Sequence, residues 1–267
     1  VPAAEDQSQD VSFDDTEPFK GPAIEIVDLY KSFGPNAVLR GVSLRVDRGT
    51  TTVILGGSGS GKSVLMKHII SLLKPDRGQV LVDGEDVVPL TGRELDRVRR
   101  KFGMVFQSSA LFDSMTVGDN VAFPLREHTK LSATERAQKV AEKLALVGLS
   151  GIESRMPSDL SGGMRKRVGL ARAIILDPQI VLYDEPTTGL DPLTTDNVDQ
   201  MILDAKQALG VTSVVISHDI GSAFKVADQV AVLYQGTIVA VGTPAEVRRS
   251  PHPHVQDFLR TWFEKGS

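Results

Sequence analysis

The stretch "GGSGSGKS", comprising Gly56, Gly57, Ser58, Gly59, Ser60, Gly61, Lys62 and Ser63, has the residue types and spacing of a phosphate cradle. Glycines let successive backbone N–H groups turn inward around phosphate oxygens, the lysine reaches the β and γ oxygens, and the serine hydroxyl suits Mg²⁺. The stretch follows the apolar run "TTVIL" and precedes "SVLMKHII", the strand-loop-helix setting this motif requires. Nucleotide binding is therefore the first expectation. Further along, "IVLYDEP" sets an apolar run ahead of Asp184 and Glu185, placing both carboxylates at the carboxyl end of a buried strand. That edge is where open α/β sheets bind ligands. Asp184 is expected to hold Mg²⁺, directly or through its water. Glu185 is expected to polarise the attacking water, since neighbours on a strand point to opposite sides. Gln107 closes "FGMVFQ" and His218 follows "SVVIS" in the same way. Alone, either would be read as structural; the inference rests on several strand ends bringing polar groups to one edge.

A second candidate cradle, "LSGGMRKRVGLARA" at 160–173, puts Ser161, Gly162 and Gly163 ahead of a basic, helix-forming run. A helix start of this kind offers N–H groups and a positive dipole end to an anion. Its "RKR" at 165–167 reads as a solvated helix face in preference to a lipid or nucleic-acid patch.

These groups need a scaffold, and 267 residues with 41% hydrophobic and 24% charged content provide one large α/β domain or two small ones. The net charge of −4 gives no overall field toward nucleic acid, and none is expected as a partner. Without cysteine there are no disulfides, cysteine-ligated zinc or iron–sulfur clusters. No apolar run is long enough to span a membrane and no secretory signal opens the sequence, so any membrane role is expected to be peripheral. Residues 1–22 read as a disordered acidic tail. "IEIVDL" and "VSLRV" alternate as half-exposed strands, and a helix is expected from Lys62 to Leu73. Strands follow over 79–82 and 102–106. A helical insertion occupies the region from Gln107 to Leu160, where Ser132 with Glu135 makes a capping box. Strand and helix then alternate through "IVLYDE", a helix near 194–209, "SVVIS", a short helix from Asp219, and "QVAVLYQG". That alternation argues for a mainly parallel sheet covered on both faces.

Together these residues resemble the ATP-binding cassette (ABC) family, the ATPase subunits of ABC transporters, over nearly all of residues 23–243. "GGSGSGKS" is similar to its Walker A loop, "IVLYDE" to its Walker B strand, and Gln107 to its Q-loop. "LSGGM" is similar to its signature, "TGLDP" with Asp191 to its D-loop, and His218 to its switch histidine. Phe33 in "YKSF" falls where the family keeps an aromatic that stacks on adenine, with Tyr30 as the alternative. The resemblance implies an α/β P-loop NTPase fold with a mainly parallel core sheet, an antiparallel N-terminal β subdomain and a helical signature subdomain at about 107–176. It implies ATP and Mg²⁺ as ligands, with Ser63, Gln107 and Asp184 at the metal. It also implies a head-to-tail homodimer, in which Ser161, Gly162, Gly163 and Asp191 of one copy meet nucleotide held by the other. Glu185, His218, Gln107 and Lys62 would then carry out hydrolysis.

Several stretches, among them "GKSVLMKHIISLLKPDRG" and "FQSSALFDSMTVGDNVAFPLREHT", resemble one branch, the ATPases of Mla-type and Mce-type lipid transporters. Val64 replaces the Thr or Ser of most cassettes, a departure this branch tolerates. The branch implies integral membrane permease subunits, an MCE-type lipid-binding subunit, a small accessory subunit, and a place on the cytoplasmic face of the inner membrane. "SSALFDSMTVGDN" would receive the permease's coupling helix. The rivals are a motor for another substrate class and a soluble cassette ATPase for cluster assembly or repair. Over 244–267, Val255, Phe258, Leu259, Trp262 and Phe263 form the wide apolar face of an amphipathic helix, expected to pack on its own domain.

Overall fold

The computed structural model describes residues 19–263, the side chains of 261–263 excepted. Most of the acidic tail, and the side chains of Trp262 and Phe263, lie outside the described residues.

β1 (Ile24–Phe33) and β2 (Asn36–Val46) form a hairpin. β3 (Thr51–Leu55), buried throughout, leads into α1 (Lys62–Ile69). β4 (Arg77–Val82) and β5 (Glu85–Asp86) complete an antiparallel sheet of order β2-β1-β4-β5. α2 (Gly92–Arg99) and β6 (Phe102–Val105) follow, then α3 (Val117–His128), α4 (Ala133–Leu146) and α5 (Gly162–Ala173). The chain returns to the sheet with β7 (Ile180–Asp184), α6 (Pro192–Leu209), β8 (Thr212–Ser217), α7 (Ile220–Val226) and β9 (Gln229–Tyr234). β10 (Thr237–Gly242), α8 (Pro244–Arg248) and α9 (Pro253–Phe263) close it. The second sheet has the order β10-β9-β3-β8-β7-β6, parallel except for β10.

Strand alternation divides the core. Val53, Leu55, Val181, Tyr183, Val215 and Val232 face one hydrophobic cluster with α3 to α7. Ile54, Leu182, Val214, Ile216 and Leu233 face the other with α1 and the antiparallel sheet. Successive side chains point to opposite faces and both faces are covered, so these strands read as continuous apolar runs. The helices are where the sequence reading needs adjusting. α1 stops at Ile69 rather than Leu73, because Ser71 turns left-handed (φ 54) and Arg99 takes the Ile70 and Ser71 carbonyls at 3.3 and 2.9 Å. β6 ends at Val105, so Gln107 stands two residues beyond the strand. Within the expected helical insertion, α3 carries Pro124 in its interior, and Thr116 caps it by accepting from the Asp119 amide at 3.1 Å. The Ser132–Glu135 capping box is present at the start of α4. α9 lays Val255 and Leu259 into the large cluster, almost fully buried.

Candidate active site

In the parallel run β3-β8-β7-β6 the carboxyl ends are adjacent, and each is followed by a candidate residue. The glycine loop follows β3, His218 follows β8, Asp184 ends β7, and Gln107 lies just past β6. A cleft of about 470 Å³ is lined by Ser58 through Val64 with Gln107, Glu185, Thr188 and His218.

The loop's glycines answer two needs. A side chain at Gly56 would put its Cβ 2.4 Å from the Leu233 carbonyl oxygen, so the strand's exit leaves no room for one. Gly59 (φ 76) and Gly61 (φ 107) take left-handed backbone that L side chains disfavour. At Gly57 and Gly59 nothing stands where a Cβ would be, leaving open space before the loop. Gly61 is the N-cap of α1, whose first-turn N–H groups have no intrahelical acceptors and are free to meet an anion. The Ser60 hydroxyl is buried without a partner. Lys62 is buried, and its ammonium donates to the Gly56 and Gly57 carbonyls at 2.7 and 3.1 Å. The loop and its polar groups fit a nucleotide's phosphates.

Glu185 reaches the cleft by a route that strand alternation did not anticipate. It lies past β7 in left-handed backbone (φ 46), its amide still bonded to the Ile216 carbonyl at 2.9 Å. This twist, rather than the pleat, separates its carboxylate from that of Asp184. Glu185 Oε2 accepts from Thr188 Oγ1 at 3.0 Å and from His218 Nδ1 at 2.7 Å, and Oε1 lies 3.4 Å from the Lys62 ammonium. A carboxylate can only accept, so His218 Nδ1 carries the proton and Nε2 is left for other partners. Thr188 was quoted only as the first residue of "TGLDP", with no role of its own; its signal was its place three residues after Glu185.

Burial, and then the adjacent Glu185 charge, push the Asp184 carboxyl above its usual range, against the pull of Lys62 and Lys67. Among the described residues no cluster of three or more His, Asp or Glu cages a metal. The available donors are the Asp184 carboxylate, the Ser63 hydroxyl and the Gln107 amide. This hard-oxygen set fits Mg²⁺ arriving with phosphates, and the cation's charge would relieve the crowded carboxylates.

The remaining predicted residues gather elsewhere. Ser161, Gly162, Gly163 and Asp191 line a second cleft, of about 480 Å³, which shares no lining residue with the first. Ser161 caps α5 by accepting from the Met164 amide at 3.3 Å, which leaves its O–H free to donate. Asp191 caps α6: Oδ1 accepts from the Leu193 and Thr194 amides, both at 3.1 Å, and Oδ2 from the Thr194 hydroxyl. Those bonds, the Thr194 hydroxyl first, hold its carboxyl below the usual range. Phe33 is 48% exposed at the end of β1, with Lys31 Nζ 5.6 Å from its ring centroid. It is not among the residues lining the first cleft, where Val38 of β2 stands. Tyr30 is covered by the Arg77 guanidinium at 3.9 Å. The reading of "RKR" as a solvated face is corrected at its centre: Lys166 is 6% exposed and donates to the Gln107 carbonyl. Helical spacing points this middle residue inward, although a run of cations reads as surface.

The family profile described as ABC transporter matches residues 39–188, more than half of the chain. The chain belongs to the ABC transporter family. It is 46% identical over 239 residues to the probable ribonucleotide transport ATP-binding protein mkl of Mycobacterium tuberculosis, covering 90% of this chain and 67% of that protein. It is 42% identical over 237 residues to the intermembrane phospholipid transport system ATP-binding protein MlaF of Haemophilus influenzae, covering 89% and 90%. A solved dimeric ATP-binding cassette, in a post-hydrolysis state with ADP and Pi, superposes with a TM-score of 0.74 at 32% identity, covering 83% and 98%. The protein is thus an ABC transporter ATPase, an ATP-binding motor with this family's paired antiparallel and mainly parallel sheets. Among the described residues no helix is long and apolar enough to cross a membrane.

Proposed function

We propose that this ATPase hydrolyses Mg-ATP at two composite sites of a head-to-tail homodimer and so drives a phospholipid-handling permease paired with an MCE-type lipid-binding subunit. The observation that carries the dimeric reading is the second cleft. Gly162 and Gly163 have ordinary backbone, a Cβ at Gly162 would meet nothing within 4 Å, and one at Gly163 would meet only Thr194 Cγ2 at 3.9 Å. Nothing among the described residues requires glycine there. Close approach by something outside the chain would require it, and a triphosphate held by a second copy is the partner that the N-terminus of α5 suits.

The roles follow from placement. Lys62 leaves the loop carbonyls for the β and γ oxygens, Ser63, Gln107 and Asp184 hold Mg²⁺, and Glu185 takes the proton of the attacking water. His218 orients Glu185 through Nδ1 and presents Nε2 to the γ-phosphate. Mg²⁺ supplies charge neutralisation on the phosphates. The partner's Ser161, Gly162 and Gly163 supply donors that a single chain lacks, so an isolated copy turns over slowly. Phe33 stacks on adenine and Asp191 shapes the second cleft by anchoring α6. The permease's coupling helix meets the protein at 108–120, and this subunit sits peripherally at the cytoplasmic face of the inner membrane. A small accessory subunit would engage the C-terminal region.

Phospholipid as cargo is supported by the MlaF relative, matched over most of both chains, and by the branch-like stretches around Lys62 and Gln107. The mkl relative is named for ribonucleotide transport, and on this reading the permease, not this chain's cleft, selects the cargo. Purification with the native permease followed by lipid analysis tests the point; a complex carrying nucleotides and no lipid rejects it. For the motor, Glu185→Gln should lower turnover by about 10²–10⁴-fold while keeping ATP binding. It should also run as a dimer on gel filtration with Mg-ATP. A variant that stays monomeric there sinks the composite site.

A further inference from the structure

We infer that Lys166 of α5 is a positioning residue for Gln107, fixing the backbone that carries this side chain to the metal and tying it to the signature end of the same helix. The clamp is built from three carbonyls. Lys166, buried in the domain, donates its ammonium to the Gln107 carbonyl. Arg172, further along α5, donates Nη1 to the Ala110 carbonyl at 2.7 Å and Nη2 to the Ser109 carbonyl at 2.8 Å. Ser109 and Ala110 are both left-handed (φ 63 and 44), a conformation that L side chains avoid unless their surroundings hold it. Gly169 provides the close approach: a Cβ there would lie 3.3 Å from that of Ser109. The Gln107 side chain itself is exposed in the cleft, so only its backbone is held.

A helix is a rigid lever. The N-terminus of α5 carries Ser161, Gly162 and Gly163, and little more than one turn on it grips Gln107 through Lys166. Movement of the signature end on meeting a partner's nucleotide therefore shifts the residue that lies at this chain's own metal. Burial alone penalises the Lys166 charge; the carbonyl bond offsets that cost, and a shorter neutral side chain would pack there more cheaply.

The inference rests on the reading of Gln107 as a metal-side group, and the experiment separates the two. In the full chain, Lys166→Met keeps length and burial without the donor, and Lys166→Arg restores donors. Hydrogen exchange of the nucleotide-free protein should show 106–112 opening about tenfold more readily in Lys166→Met, the loss expected for one charged hydrogen bond, with β3 and β7 unchanged. The Mg²⁺ concentration for half-maximal turnover should rise by about the same factor, with KM for ATP held within about twofold, and Lys166→Arg should recover both. Unchanged exchange over 106–112, or a magnesium curve matching the parent's, overturns the clamp. Gln107→Ala runs alongside: if its magnesium curve also matches the parent's, the reading of Gln107 is what fails. Should Lys166→Met not fold, Gly169→Ala, whose methyl presses on Ser109, carries the same measurements.

Discussion

Burial and the Glu185 charge both raise the Asp184 carboxyl, so the nucleotide-free fold holds this proton more tightly than the unfolded chain does. The resulting penalty is full above the folded pKa and disappears below the ordinary value of 3.8. Asp184→Asn should therefore melt higher than the parent at pH 7 in the absence of nucleotide, and the difference should shrink as the pH falls toward 3.8. Its Mg²⁺-dependent turnover should drop by about 10²-fold. Thermal melts across pH, with an ATPase assay, check both; a variant that melts lower at pH 7 refutes the crowding. The residues legible in the sequence were those whose chemistry is local: the glycine loop, the strand-end carboxylates, and the Ser132 cap. Lys166 and Arg172 were not legible, because their partners are backbone carbonyls some sixty positions away and spacing carries no sign of those. Asp191 was read from its motif as a ligand-side group, while its carboxylate is taken up by its own helix.

Elements were read well wherever hydrophobic period and termini agreed. The buried runs of β3, β7, β8 and β9 stood out, and α6 was found with its first turn displaced by two residues. α3 lies inside the expected helical insertion, but its bounds were not read, since Pro124 interrupts its local pattern. Its buried Asn120 ties the preceding turn to the helix, accepting from the Phe112 amide at 2.8 Å and donating to carbonyls of 112, 115 and 116. At α5 the glycines set function against helix propensity. Gly162→Ala should leave the unfolding free energy measured in urea unchanged or raise it by up to about 1 kcal/mol, since alanine is the better helix former and has open space. Turnover should nonetheless fall at least about tenfold, because the methyl intrudes where a second copy's phosphate would sit. Equal losses of stability and activity would mean that the glycine serves its own chain.

For the whole molecule, the two clefts have no residue in common, and in the proposed head-to-tail dimer each would complete the other's. A mixture of Lys62→Ala and Gly162→Asp chains tests this without a crystal. Each variant alone should be inactive, while a mixed dimer pairs the sound loop of one with the sound signature of the other. With random pairing, about half of the dimers regain one chamber, or about a quarter of parent activity, provided that the chambers fire independently. No recovery on mixing would contradict the exchange of parts. The alternation of strands and helices made the core sheet legible at this scale; the separation of the clefts was implied by the family resemblance and by no local signal, since distance across a fold leaves no local trace. The contact between Lys62 and Glu185 has its own consequence. At 3.4 Å the ammonium lies beside the acid to which the proposed mechanism assigns water activation, and on that proposal a resting copy would keep its trigger under a safety catch. Fuel that drew the lysine forward would release Oε1 in the same motion, while Thr188 and His218 kept their hold on Oε2.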